Sequence, residues 1–86
     1  MKTRNISIPA GSTAGVLASL GVSPQGTFEV QMIGSEYLLI AEDSSGANAT
    51  WALQGRHVVR VHNEDVYVKN VAGSSTMTLV VLVTQQ

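Results

Sequence analysis

Apolar and polar residues alternate along most of this chain. Alternation with period two marks a strand with one face in a core and the other in water. Residues 27–33 show it most cleanly: Phe28, Val30 and Met32 share one face, Glu29 and Gln31 the other. Residues 4–8 place Ile6 and Ile8 together, and residues 57–62 do the same for Val59 and Val61. Further strands are predicted over 36–41, where Leu38, Leu39 and Ile40 run on, over 50–54 with Trp51 and Leu53, and over 66–70. The last, 75–84, departs from the pattern. Met77, Leu79, Val81 and Val83 fill one face, but Val80 and Leu82 occupy the other. A strand apolar on both faces has to be covered on both.

Turn signals separate these runs: Ser23-Pro24-Gln25-Gly26, Gly34-Ser35, Asn63-Glu64-Asp65 and Ala72-Gly73-Ser74. About seven short strands at such spacing predict an all-β chain, a small antiparallel β-sandwich or barrel. One short N-terminal helix is expected too. Ser12 or Thr13 can cap it, Val16, Leu17 and Leu20 share a face, and Gly21 is placed to stop it. At two turns or fewer it would form only when docked.

With 86 residues the chain is read as a single β domain spanning 1–86, with residues 1–5 a candidate flexible arm that orders on docking. It has no cysteine, so disulfide, thiol and Cys-zinc chemistry are excluded. The net charge of −1 offers no footprint for nucleic acid or an anionic membrane. Charged residues are 13% of the chain, about half the usual ~25%. Their places are taken by Ser, Thr, Gly, Asn and Gln, which suits contact with another protein, because interface cores are depleted of charge. No apolar signal region follows the N-terminus, and the run from 79 to 83 is far shorter than the ~20 residues that span a bilayer.

Candidate chemistry is sparse. His57 and His62 are five apart on one strand, which sets them on opposite faces and argues against a shared metal. Asp43-Ser44-Ser45-Gly46-Ala47-Asn48 resembles a calcium loop but lacks the alternating acids and distal glutamate, so it is read as a hairpin or connecting loop. Gly11-Ser12-Thr13-Ala14-Gly15 has no Gly-Lys-Ser/Thr to hold phosphate. The carboxylates Glu29, Glu36, Glu42, Asp43, Glu64 and Asp65 fall on outward positions or in turns, where pKa values stay ordinary. No catalytic, cofactor or metal residue is assigned, and the chain is read as non-enzymatic. Tyr37, Trp51 and Tyr67 are the aromatics that could meet a partner or a glycan. For Trp51 the favoured expectation is packing in the core.

One resemblance rests on a run of residues. After Trp51 the order is Leu53-Gln54-Gly55-Arg56, a strand, a short acidic turn, then Asp65-Val66-Tyr67-Val68-Lys69-Asn70. A small-residue hairpin, Ala72-Gly73-Ser74-Ser75, and a Thr/Val strand follow. This resembles the C-terminal half of small virion structural proteins of tailed bacteriophages. The opening "ISIPAGSTAGVLASLGVSP" resembles them as well, while residues 26–45 lie outside the resemblance. It implies a capsid decoration (cement) protein, or a head–tail, collar or fibre-associated component, assembled in the host bacterial cytoplasm and found in the virion. It implies other virion proteins as partners, the major capsid protein first, and transfers no catalytic or binding residue.

The resemblance and the two-faced last strand lead to one expectation. The chain forms a homo-oligomer, and Leu79, Val80, Val81, Leu82 and Val83 lie in or beside its interface. A trimer is favoured because many capsid decoration proteins sit at threefold sites; base rates alone favour a dimer. Two other classes stand beside this reading: a virion-attached receptor- or carbohydrate-binding module, and a small phage protein that inhibits a host target.

Overall fold

The computed structural model describes residues 2–86. Eight strands and one helical turn follow in order: β1 Lys2–Ile8, β2 Thr13–Gly15, α1 Val16–Ser19, β3 Thr27–Gly34, β4 Leu38–Ala41, β5 Trp51–Ala52, β6 Gly55–His62, β7 Tyr67–Asn70 and β8 Met77–Gln85. They form two four-stranded sheets, β1-β8-β3-β6 and β2-β7-β4-β5, antiparallel throughout. The chain is all-β. Residues 2–5, the candidate arm, pair with β8 as part of β1; Met1 lies outside the described residues.

The period-two reading places the core. Ile6, Ile8, Phe28, Val30, Met32, Val61, Leu79, Val81 and Val83 of the first sheet are buried in one cluster with Leu38 and Val68 of the second. Val16, Leu17 and Leu20, in and just after α1, join the same cluster. The second sheet gained a strand the pattern did not show, since β2 is three residues long and its pairing with β7 defines it.

The start of α1 differs from the expected Ser12 or Thr13 cap. Its N-cap is Gly15, which has no side chain to offer. The orphan donors are met from across the sequence: Asp65 Oδ1 accepts from the Leu17 N–H at 2.7 Å and Oδ2 from the Ala18 N–H at 3.1 Å. A Cβ on Gly15 would stand 2.5 Å from Asp65 Oδ2, so only glycine leaves room for this carboxylate. At the other end Gly21 (φ +71°) donates to the Ala18 carbonyl and Val22 to that of Leu17, the paired bonds of a Schellman turn. Arg4 Nη1 donates to the Ser19 carbonyl at 2.6 Å, a cation at the negative end of the turn.

Two residues tie the sheets together. Leu53, fully buried, donates its N–H to the Leu38 carbonyl at 2.7 Å and accepts from the Gly34 N–H at 3.1 Å. Asn70, the one buried polar residue among those described, donates to the Ile8 and Ser75 carbonyls at 2.8 Å each and accepts from the Ala72 N–H at 2.8 Å. A buried amide with its donors and acceptor engaged offsets its loss of hydration and fixes the segments it joins.

Candidate functional site

Pairing register tells which residues share a face, because residues directly opposite in an antiparallel pair point the same way. On the outer side of the first sheet one row reads Asn5, Val80, Ile33, Arg56 from edge to edge. The next reads Thr3, Leu82, Gln31, Val58. Val80, Ile33 and Val58 are 43%, 50% and 56% exposed, and Leu82 is half-buried. Leu82, Val80, Ile33 and Val58 are each next to or diagonal from another of the four, so they form one patch. A depression of about 480 Å³ opens over it, floored by Val80, Ile33 and Leu82 and rimmed by Thr3, Asn5, Gln31 and Arg56.

A polar ladder borders the patch along β3 and β6. Arg56 Nη2 donates to Gln31 Oε1 at 2.5 Å, and Gln31 Nε2 donates to Glu29 Oε1 at 3.3 Å. Arg60 Nη2 lies 3.6 Å from Glu29 Oε2. The ion pair is too exposed to add much stability, but the chain of contacts holds these long side chains against the sheet.

The outer side of the second sheet is different. Register puts Thr13, Lys69, Leu39 and Ala52 in one row there. Gly46, on the connection from β4 to β5, is buried over it: a Cβ added to Gly46 would lie 2.6 Å from Thr13 Oγ1 and 2.9 Å from Lys69 Cδ. The connection is held by its own bonds. Asp43 Oδ1 accepts from the Ser45 hydroxyl at 2.5 Å and the Ser45 N–H at 2.9 Å, and the Glu42 N–H meets the Ala47 carbonyl at 2.8 Å. The bonds from Ser45, first the hydroxyl and then the backbone, hold the Asp43 carboxyl below its usual value. The chain thus lays its own loop on one outer face and leaves the other bare.

The residues singled out from the sequence separate accordingly. Leu79, Val81 and Val83 are buried in the chain's own core, at 0%, 2% and 3% exposure. Of the five interface candidates only Val80 and Leu82 face outward, because alternation splits one strand between two environments. The same alternation puts apolar Ile33 and Val58 at outward positions of β3 and β6, and the sequence reading passed over both. The signal was an apolar residue on the otherwise polar face of β3 and of β6 beside the two on β8, visible only once those strands are known to be neighbours.

The aromatics do not gather. Trp51 is 69% exposed, against the expectation of core packing. It lies on β5, a two-residue edge strand opposite Ile40, where the sheet ends and nothing lies beyond to cover an indole. Tyr37, 44% exposed, precedes β4 and is joined through its carbonyl to the Val71 N–H. Tyr67 is half-buried opposite Ala41 and Gly15. By register Tyr67 shares the outer face with Ala41, whereas Trp51 shares the inner side with Ile40. They make no common platform.

His57 and His62 fall on opposite faces: His57 opposite core residue Met32, and His62 opposite Thr27, whose hydroxyl lies 2.7 Å from His62 Nδ1. Among the described residues no three His, Cys, Asp or Glu side chains come together to hold a metal ion. No helix among them is long and apolar enough to cross a membrane. Comparison with known protein families, curated proteins and solved structures finds no match to this chain.

Proposed function

We propose that this chain is a non-enzymatic structural protein of a tailed-phage virion, a capsid decoration protein that binds the head shell and stabilises it by burying surface. The two sheets are read as the layers of a small β-sandwich, with Val16–Ser19 as the short helix at its side. One observation carries the assembly part of this reading: a face suited to being covered by another chain. The first sheet has a bare outer face on which Val80, Ile33, Val58 and Leu82 form an apolar patch. A patch of this kind, rimmed by polar groups, marks an interaction surface. The assignment to a virion comes from the resemblance of residues 47–86, and of the opening stretch 6–24, to small virion proteins. The chain would act as a homo-oligomer beside the major capsid protein.

The test is quantitative mass spectrometry of purified virions, followed by adding the protein back to shells that lack it. Stoichiometric presence and a raised melting temperature of the decorated shell are expected. Absence from purified particles overturns the reading.

The exposure of Trp51 favours a second reading, a receptor- or carbohydrate-binding module with the indole as a single stacking surface. Glycan binding that disappears in Trp51→Ala supports it; an array without signal removes it.

A further inference from the structure

We propose that the bare face of the first sheet is covered by a second copy of this chain, stacked face to face about a two-fold axis parallel to the strands and midway between β8 and β3. This inference rests on the reading of that face as a docking surface and names its occupant.

Register supplies the geometry. Such an axis exchanges β8 with β3 and β1 with β6. In the row Asn5, Val80, Ile33, Arg56, Val80 of one copy comes over Ile33 of the other, and Ile33 over Val80. The same operation sets Arg56 over Asn5, Leu82 over Gln31 and Val58 over Thr3. The exposed aliphatic pair thus closes on itself at the axis. Arg56 meets an amide able to accept from it rather than a like charge. Stacked sheets cross at about −30°, which changes this overlay least next to the axis, where Val80 and Ile33 sit.

Association through sheet edges is the competing route, and the charges disfavour it. The edge strands of this sheet are β1 and β6, and they carry Lys2, Arg4, Arg56 and Arg60, four of the five basic residues in the chain. Pairing β6 with its own copy about Val58 would set Arg56 directly opposite Arg60. Basic residues on an edge strand are a common guard against strand addition. A threefold arrangement, which the resemblance implies, would need a second and different surface complementary to this patch. A patch that complements itself closes with two copies.

The size of the face sets the strength. Four strands about 4.8 Å wide each and eight residues at about 3.4 Å give roughly 520 Å² per copy, or about 1,040 Å² in the pair. Specific interfaces start near 1,000 Å² and those below ~1,200 Å² are weak or transient. The dimer is therefore weak and concentration-dependent in solution, and becomes effectively tight only where copies are held close together.

Sedimentation equilibrium of the pure protein reads this directly. A monomer–dimer equilibrium is expected, with Val80→Lys and Ile33→Lys each raising the dissociation constant at least tenfold while circular dichroism stays unchanged. Geometry is tested by thiol cross-linking, which the absence of cysteine makes clean. Val80→Cys mixed with Ile33→Cys should cross-link through a short bismaleimide, and faster than either variant alone. A wild-type protein that stays monomeric to millimolar concentration overturns the inference. So does a dimer indifferent to both lysine variants, a trimer, or cross-linking no faster in the mixture. Shell binding measured alongside separates the two levels: a monomer that binds shells through Val80 defeats the two-fold and leaves the docking face standing.

Discussion

The side-chain amide of Asn70 donates a 2.8 Å hydrogen bond to the carbonyl of Ile8, sixty-two positions earlier in the chain. The same amide reaches Ser75, and its oxygen takes the Ala72 N–H. One fully buried side chain therefore ties the end of β1, β7 and the connection from β7 to β8, which crosses between the sheets rather than forming the expected hairpin, into one unit. Asn70→Ala would strand the Ile8 carbonyl and the Ala72 N–H in the interior and remove the partner of the part-buried Ser75 carbonyl. Each unsatisfied buried group costs about 1–3 kcal/mol, so a loss of roughly 3 kcal/mol or more is expected. Urea unfolding measures it, and a loss under about 1 kcal/mol would show that water replaces the amide.

Asp65 and Gly15 act as a pair, the carboxylate capping α1 and the glycine leaving space for it. Asp65→Ala should cost about 0.5–2 kcal/mol, the range for a lost N-cap. Gly15→Ala should be destabilising alone because its Cβ displaces the carboxylate. In the double variant there is no carboxylate to displace, so its cost should fall short of the two single costs added together. Additive costs in a double-mutant cycle would mean the two do not act through one another.

Interior and exterior positions of β8 separate stability from association. Leu79→Ala, at a fully buried site, should lose about 2–5 kcal/mol by leaving a cavity. Val80→Ala, one residue later on the bare face, should change the monomer's stability by no more than about 0.5 kcal/mol. Thermal and urea unfolding of dilute protein compare the two, and similar losses would contradict the assignment of faces.

The loop over the second sheet should respond to acid. The bonds from Ser45 lower the folded pKa of Asp43 from its ordinary value of 3.8, so the unfolded chain takes up the proton more readily. The contribution is complete above 3.8 and is lost as pH falls through the lower folded value. Asp43→Asn should lose less stability than the parent between about pH 5 and pH 2. The difference is small, because the group is exposed. Parallel curves for the two proteins would show that the loop gains nothing from the charge.

Much of the first sheet was legible in the sequence. Phe28, Val30 and Met32 turn inward and Glu29 and Gln31 outward because side-chain direction along a strand repeats every two residues, a property of the local backbone. The alternation also announced that Val80 and Leu82 would need an explanation. It assigned no partner to any strand, and the exposed patch exists only because β8, β3 and β6 lie side by side. Pairing depends on which closures bury the most apolar surface at once, and no single window of sequence contains that quantity. Trp51 shows the difference. Its residue type suggested the core, but its place at the edge of a sheet leaves it in water. The cap of α1 shows it again: the local candidates Ser12 and Thr13 were passed over for Asp65, which the fold brings from forty-eight positions away from Leu17. Local periodicity determined the faces of the strands. Only tertiary structure decided which faces meet, which end at an edge, and which one is left bare.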